Sequence, residues 1–166
     1  RVWRNYRYDT HELENENVLL AYKTIKELNK RNKYVDSITT THDMIAYMMI
    51  LMNYYSATIL KENKTGIYRS AKLNQTYKPP ESVPDEVSKF LKIWHSFGGK
   101  YTKYENIESH DMLDFDAYVH ITSPIRRLVD LLNIMILQDK LGLHRTSEKG
   151  KAFYENWTSE HSIEYI

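Results

Sequence analysis

A stretch without charged residues, spanning positions 44–60, limits most strongly what this chain can fold into. Its length is borderline for a membrane-spanning helix, which needs about 20 apolar residues, and hydroxyl and amide side chains interrupt it. A helix that is apolar nearly all round is otherwise a buried one. We therefore predict a central core helix that begins near Thr41, with no membrane span and with Asn53 satisfied by internal hydrogen bonds.

The rest of the pattern is helical with brief strands, so the expected fold class is α+β, mainly helical. All 166 residues form a single segment, in which 138–166 are a helical C-terminal extension. The predicted elements are a surface helix over 17–33, a strand over 66–73, a proline-rich connector over 77–84, an amphipathic helix over 85–97 closed by Gly98 and Gly99, and a helix from about Ser147.

A further helix is predicted downstream of residue 122. Ser123 is a good N-cap residue and Pro124 suits the first helical position, so both are interpreted as structural cap residues of a helix over 125–137. Two adjacent arginines would then lie in the first turn, where the helix dipole disfavours a cation by roughly 0.3–1 kcal/mol and favours an anion.

Arg126 and Arg127 therefore require a negative partner. Asp130 follows them by four and three residues, within reach of an ion pair worth about 0.2–0.5 kcal/mol. Because Asp130 cannot easily neutralise both, two alternatives stay open: a structural ion pair, and a bound phosphate or carboxylate ligand.

Three aspartates, at positions 111, 114 and 116, precede this helix. Their spacing fits no loop of known metal-binding geometry, and no glycine supplies the turn of a calcium-binding loop. Polar and apolar side chains alternate over 114–119, which predicts a half-exposed strand. We therefore predict no metal site in this segment.

The residues from His110 onward resemble the signature of the RNB catalytic domain of the ribonuclease II and ribonuclease R family. The family pattern is approximately His-Phe-Gly-Leu-x-x-x-x-Tyr-x-His-Phe-Thr-Ser-Pro-Ile-Arg-Arg-Tyr-x-Asp-Leu. Similarity is strongest over 18–137 and includes the family's Met-Leu-Leu-Ala-Asn helix at 49–53. The ungapped matches to the signature are His110, Leu113, Tyr118, His120, Thr122, Ser123, Pro124, Ile125, Arg126, Arg127, Asp130 and Leu131.

Several positions depart from the family pattern. An acidic pair of the family, expected to help hold the terminal nucleotide, is absent. The replacements are Ala46 and Tyr47 for that pair, Ala71 for a histidine, Met112 for a glycine, and Ile134 with Met135 for a His-Arg pair.

The resemblance implies a hydrolytic exoribonuclease that degrades RNA from its 3′ end with Mg²⁺ and releases nucleoside 5′-monophosphates. Arg126 would be its catalytic arginine and grip the phosphate at the scissile bond. Arg127 and Arg69 would contact phosphates or pair with aspartates beyond this segment. Tyr118 and His120 would line the RNA channel, or else be a packed tyrosine and a hydrogen-bonded strand histidine.

The family's Mg²⁺-binding aspartates, arranged Asp-x5-Asp-x-Asp-Asp, do not occur in this sequence. In the family they lie N-terminal to the matched part, so we expect this chain to be the C-terminal half of an RNB catalytic domain and inactive by itself. The resemblance implies single-stranded RNA, the N-terminal half of the domain and OB-fold RNA-binding domains as partners.

Composition adds few constraints. A net charge of only +1 creates no global attraction for nucleic acid, so RNA binding must come from local patches. The absence of cysteine excludes disulfides and fits a reducing compartment, and we expect an intracellular, cytoplasmic protein. The abundance of Asn, Lys, Ile and Tyr fits AT-rich coding, as in some parasites or large DNA viruses.

Two alternatives to the enzyme remain. One is a catalytically degenerate RNB-like protein that binds RNA or scaffolds an assembly, for which the departures at Ala46, Tyr47 and Ala71 are the best support. The other is an unrelated helical interaction module whose arginines pair internally. In that module, replacing Arg126 would lower stability and leave RNA binding unchanged.

Overall fold

The computed structural model describes residues 15–72, 78–80, 82–96, 99–159 and 163. Parts of the predicted 66–73 strand, the connector, the Gly98-Gly99 helix end and the C-terminal extension lie outside these residues. The elements, in chain order, are α1 (Glu16–Arg31), α2 (Thr41–Glu62), β1 (Ile67–Arg69), α3 (Asp85–Ser96), β2 (Tyr101–Lys103), a 3-10 turn (Tyr104–Asn106), α4 (Leu128–Lys140) and α5 (Glu148–Trp157). The predicted α+β class, mainly helical, is confirmed.

The chain divides into two compact units, Arg1–Met52 and Asn53–Ile166, with the boundary inside α2. In the first unit, the described core is formed by α1 and the start of α2. Asn15 caps α1 by accepting the N–H groups of Asn17 and Val18. The start of α2 is capped in the same way, because the Thr40 hydroxyl accepts the Asp43 N–H. The buried core residues are Ile25, Ile38, Met44 and Tyr47.

The second unit is built around a small antiparallel sheet, in which β1 pairs with β2 so that Tyr68 lies opposite Thr102. Side chains of α2, β1 and α4 pack beside it with those of the segment that precedes α4. The main cluster comprises Ala57, Leu60, Tyr68, Ala117, Val119, Ile121, Ile136 and Leu137, and a second comprises Ile67, Val129 and Leu132.

The core helix near Thr41 is observed as α2, and among the described residues no helix is long and apolar enough to cross a membrane. The helix is not buried all round, however. Asn53, Ala57 and Leu60 are buried, whereas large apolar side chains elsewhere on the helix are exposed, because the described residues cover only part of its surface. These exposed residues are Met48, Met49, Met52 and Tyr55.

The prediction for the start of α4 was wrong. The helix begins at Leu128 rather than Ile125, and its N-cap is Arg127, whose backbone is extended (φ −130°, ψ 122°). Residues 124–126 form a turn in which the N–H groups of Arg126 and Arg127 both donate to the Ser123 carbonyl. The Ser123 side chain is therefore not the helix cap, Pro124 is not the first helical residue, and the two arginines precede the first helical turn.

The half-exposed strand predicted over 114–119 is also absent. Residues 111–114 form turns, and only Phe115 and Val119 make isolated bridges. Asp114 adopts a left-handed backbone (φ +54°), which an aspartate tolerates better than most residues. Alternation fails at Tyr118, which is buried because its hydroxyl has an internal hydrogen-bond partner.

Candidate functional site

The segment between Tyr118 and α4 has no regular structure, yet buried side chains fix its backbone. Asn53, only 3% exposed on α2, donates from its amide nitrogen to the Tyr118 hydroxyl (2.9 Å). Its amide oxygen accepts the Ile121 backbone N–H (3.0 Å). One asparagine therefore holds both a side chain and the backbone of this segment, and the predicted internal hydrogen bonding of Asn53 is confirmed.

A second buried asparagine, Asn133 on α4, connects this segment to β1. Its amide oxygen accepts the Ile67 N–H, and its amide nitrogen donates to the Ile67 carbonyl, both at 2.9 Å. The same nitrogen donates to the carbonyl of His120 at 3.1 Å. Because β1 is at the core, this bonding places the His120 backbone at a fixed distance from the sheet.

Asp130 fixes the turn that carries the arginines. Its side chain is completely buried, and one carboxylate oxygen accepts the Ser123 backbone N–H (2.7 Å) and an Arg127 guanidinium N–H (2.9 Å). The other oxygen lies 2.7 Å from Arg127 Nε, as an ion pair without hydrogen-bond geometry. Asp130 therefore neutralises Arg127, one of the two possibilities that the sequence left open.

Arg126 differs from its neighbour. Its side chain is exposed and has no hydrogen bond or ion pair with any residue that the structure describes. Ile125, beside it in the same turn, is fully exposed. The turn therefore presents an unneutralised guanidinium to the surface, while the adjacent guanidinium is anchored to a buried carboxylate.

His120 is held by a tyrosine that the sequence reasoning missed. The hydroxyl of Tyr101, on β2, lies 2.7 Å from His120 Nδ1. Burial, together with the positive charge of Arg127, lowers the pKa of His120 from its ordinary 6.5 to about 4. His120 is therefore neutral at physiological pH, and a neutral imidazole has one ring nitrogen as donor and the other as acceptor.

Arg69 completes this cluster from β1. Its guanidinium lies 5.2 Å from the centre of the Tyr101 ring, in the geometry of a cation–π contact, and it donates to the Gly99 carbonyl. A side chain at position 99 would collide with Arg69 and with the Ser70 carbonyl, so this approach requires glycine. Arg69 is thus engaged within the second unit.

The structure brings most of the predicted residues into one cluster. The Tyr118 and His120 rings meet edge to face at 5.9 Å, and the Arg69 backbone N–H donates to the Tyr118 carbonyl at 2.7 Å. The charges of Arg69 and Arg127 both act on His120. Arg126 joins the cluster through the chain, as the immediate neighbour of Arg127, and not through a contact of its own among the described residues.

No metal site is present among the residues that the structure describes, since no three His, Asp or Glu side chains converge there. Asp111 accepts the Ser109 hydroxyl at 2.6 Å, and Asp114 and Asp116 are exposed. The described part of the chain therefore does not fit a Mg²⁺ ion, which requires near-octahedral oxygen ligands.

Two departures from the family pattern occupy structural positions. Tyr47 is fully buried, with its ring 5.2 Å from that of Tyr34. Ala71 is buried, its N–H donates to the Ser109 carbonyl, and its carbonyl accepts the Asp111 N–H. At both positions the side chain packs inside its own unit.

Comparison with known families finds a match that covers most of this cluster but excludes Arg69. Residues 98–142 match the RNB domain. The matched segment covers 45 of the 166 residues of the chain. It contains β2, α4 and the irregular segment between them, and the resemblance found in the sequence is confirmed. No curated relative matches the chain.

Solved structures show that the likeness of fold extends beyond this segment. Mycoplasma genitalium RNase R in complex with double-stranded RNA matches with a TM-score of 0.53 at 18% identity, over 75% of this chain and 28% of that one. Its complex with ribose methylated single-stranded RNA gives the same TM-score and identity, over 75% and 25%. Its apo form also gives 0.53 and 18%, over 77% and 26%. The chain thus spans about a quarter of the RNase R length.

Proposed function

We propose that this RNB-domain segment is part of a hydrolytic exoribonuclease that shortens RNA from its 3′ end and releases nucleoside 5′-monophosphates. The RNB match over residues 98–142 supports this proposal, and so does the likeness of fold to RNase R solved with RNA. The observation that carries it is the difference between the two adjacent arginines. Asp130 neutralises Arg127, whereas Arg126 is exposed and unpaired among the described residues.

Arg126 is the proposed catalytic residue. A guanidinium binds a phosphate through two parallel N–H donors, and such charge-assisted hydrogen bonds are roughly twice as strong as neutral ones. Placed at the scissile phosphate, Arg126 would stabilise the negative charge that develops in the transition state. The fixed turn supports this role, since Asp130 holds the Ser123 N–H and the Ser123 carbonyl accepts the Arg126 N–H.

The other candidates would shape the site. Arg127 is 26% exposed and oriented by Asp130, so one face of its guanidinium would remain available for a phosphate. Arg69 would maintain the electropositive field while packed on Tyr101. Tyr118, only 5% exposed and bonded to Asn53, would support the site from within. His120, which is partly exposed, would contact the RNA.

The remaining parts of such an enzyme are proposed to come from elsewhere. The ligands of Mg²⁺ would lie outside the residues described, in an N-terminal half of the RNB domain. Single-stranded RNA and OB-fold domains are the other proposed partners. An intracellular, cytoplasmic site of action belongs to the same proposal.

A second candidate is an RNB-like protein that binds RNA without cleaving it. The observations that favour it are the buried positions of Tyr47 and Ala71, where side chains of the family pattern would be polar. The electropositive turn at Arg126 would persist in such a protein. Both candidates would therefore bind RNA, but only the first would hydrolyse it.

The test uses the full-length protein that contains this chain, with single-stranded RNA labelled at the 5′ end and, separately, at the 3′ end. An exonuclease acting from the 3′ end gives a ladder of shortening 5′-labelled products and releases the 3′ label at once as mononucleotide. Chelation with EDTA should abolish both results. Retention of RNA by a folded preparation, with neither label released, would favour the binding protein.

A further inference from the structure

The contact between Tyr101 and His120 connects two residues from different parts of the second unit. Tyr101 lies on β2 and His120 in the irregular segment, and the hydroxyl-to-Nδ1 distance of 2.7 Å is that of a strong hydrogen bond. Both ends are held by further hydrogen bonds. β2 is paired with β1, and the His120 carbonyl accepts a hydrogen bond from the buried Asn133. His120 is thus held both through its imidazole ring and through its backbone carbonyl.

The direction of this hydrogen bond follows from the surroundings of the phenol. Among the described residues, the Tyr101 hydroxyl has no acceptor other than His120 Nδ1, and an unsatisfied donor in a partly buried position is costly. Burial raises the pKa of Tyr101, so the phenol keeps its proton, and the positive charge of Arg69 over the ring favours donation of that proton in a hydrogen bond. Tyr101 therefore donates, and Nδ1 of the neutral imidazole accepts.

The proton of His120 must then be on the other ring nitrogen. When Nδ1 accepts, the neutral ring carries its hydrogen on Nε2. Nε2 has no hydrogen-bond partner among the residues that the structure describes, and His120 is partly exposed. The ring thus offers one fixed, uncharged donor beside the anchored guanidinium of Arg127.

We propose that Tyr101 is a positioning residue that holds His120 as its Nε2–H tautomer, and that this N–H donates to a backbone oxygen of the bound RNA. The inference rests on the proposed function and deepens it, because it assigns a substrate contact to His120 and a supporting residue outside the matched signature. The shared chemistry of the ligand is an oxygen acceptor, which a phosphate or a ribose hydroxyl supplies.

The test compares kcat/KM for RNA degradation in the full-length protein and its variants. Tyr101→Phe keeps the ring under Arg69 and removes only the hydroxyl, so we expect a fivefold to tenfold loss, about that of one hydrogen bond. His120→Gln keeps an N–H donor and should retain more activity than His120→Ala. Tyr22→Phe is the matched control, because it removes a phenol hydrogen bond to the Ile38 carbonyl in the first unit.

A double-mutant cycle separates positioning from general stability. If Tyr101 acts through His120, Tyr101→Phe should have little effect in the His120→Ala background, and its melting temperature should match that of Tyr22→Phe. An undiminished loss in the His120→Ala background would overturn the inference. So would a kcat/KM for Tyr101→Phe within twofold of the parent protein.

Nitrogen NMR of labelled histidine gives a readout independent of catalysis. The His120 signals, assigned from their absence in His120→Gln, should show protonated Nε2 and unprotonated Nδ1 in the parent and a mixture of tautomers in Tyr101→Phe. A protonated Nδ1 in the parent would refute the inference even if RNA is degraded. If RNA is not degraded, the proposed function fails, and the inference is then judged by this spectrum and by RNA affinity in the same variants.

Discussion

Replacing Arg127 with alanine should destabilise the protein much more than the same replacement of Arg126. Asp130 is completely buried, so Arg127→Ala leaves a carboxylate without its cation. Breaking a buried ion pair typically costs about 3–5 kcal/mol. Arg127 is itself 26% exposed, and Asp130 keeps the Ser123 N–H, so we expect the lower end, about 3 kcal/mol. Arg126→Ala removes an exposed side chain and should change stability by less than about 0.5 kcal/mol.

The assay is thermal unfolding of both variants beside the parent protein. For a chain of 166 residues, 1 kcal/mol corresponds to about 2–4 °C, so Arg127→Ala should lower the melting temperature by about 6–12 °C. Adding Asp130→Asn to Arg127→Ala should recover part of the loss, because the buried charge is removed while the side-chain shape is kept. Equal melting temperatures for the two single alanine variants, or a double variant less stable than Arg127→Ala, would refute this reasoning.

Three further predictions concern the same unit. Asn133→Leu should lower the free energy of unfolding by about 3 kcal/mol, measured by urea denaturation, because it leaves the buried N–H and carbonyl of Ile67 unpaired. Stability should fall as the pH drops from 6.5 to about 4, because in this window His120 binds a proton in the unfolded chain but stays neutral in the folded one. The free energy of unfolding should fall by up to about 3 kcal/mol, and His120→Gln should flatten the pH profile of urea unfolding. Arg126→Ala should make the logarithm of RNA affinity depend less steeply on the logarithm of salt concentration, by about 0.7 for one lost contact to single-stranded RNA.

The sequence predicted those elements whose signals are local. α1, α2 and α5 lie near their predicted positions, because apolar periodicity and capping residues such as Ser147 act over a few neighbouring residues. α4 ends at Lys140 rather than near Leu137, and Gly142 follows it in the left-handed conformation that favours glycine. Its start was misplaced because Asp130 captures the Ser123 N–H and holds the preceding turn outside the helix.

The ion pair of the site could be predicted from the sequence, whereas its hydrogen bonds between distant residues could not. The pairing of Asp130 with one arginine followed from their spacing, and the structure identified Arg127 as the partner. The partner of Asn133 gave no local signal, since Ile67 lies 66 positions away in the sequence. Tyr101 was missed for a similar reason, because β2 is only three residues long and lacks a clear periodic pattern. An amide in the middle of an apolar helix is the one signal that could have identified Asn133, as it did for Asn53.

The rate of RNA shortening by Arg126→Ala in the full-length protein tests the central claim most directly. If Arg126 stabilises the charge on the scissile phosphate, the rate should fall by about 10²–10³, as for the loss of one transition-state donor. Arg126→Lys, which keeps the charge and loses the paired donors, should recover only part of it. The melting temperature should stay within about 2 °C of the parent value. A rate near that of the parent protein, in a preparation that degrades RNA, would contradict the assignment of Arg126 as the catalytic residue.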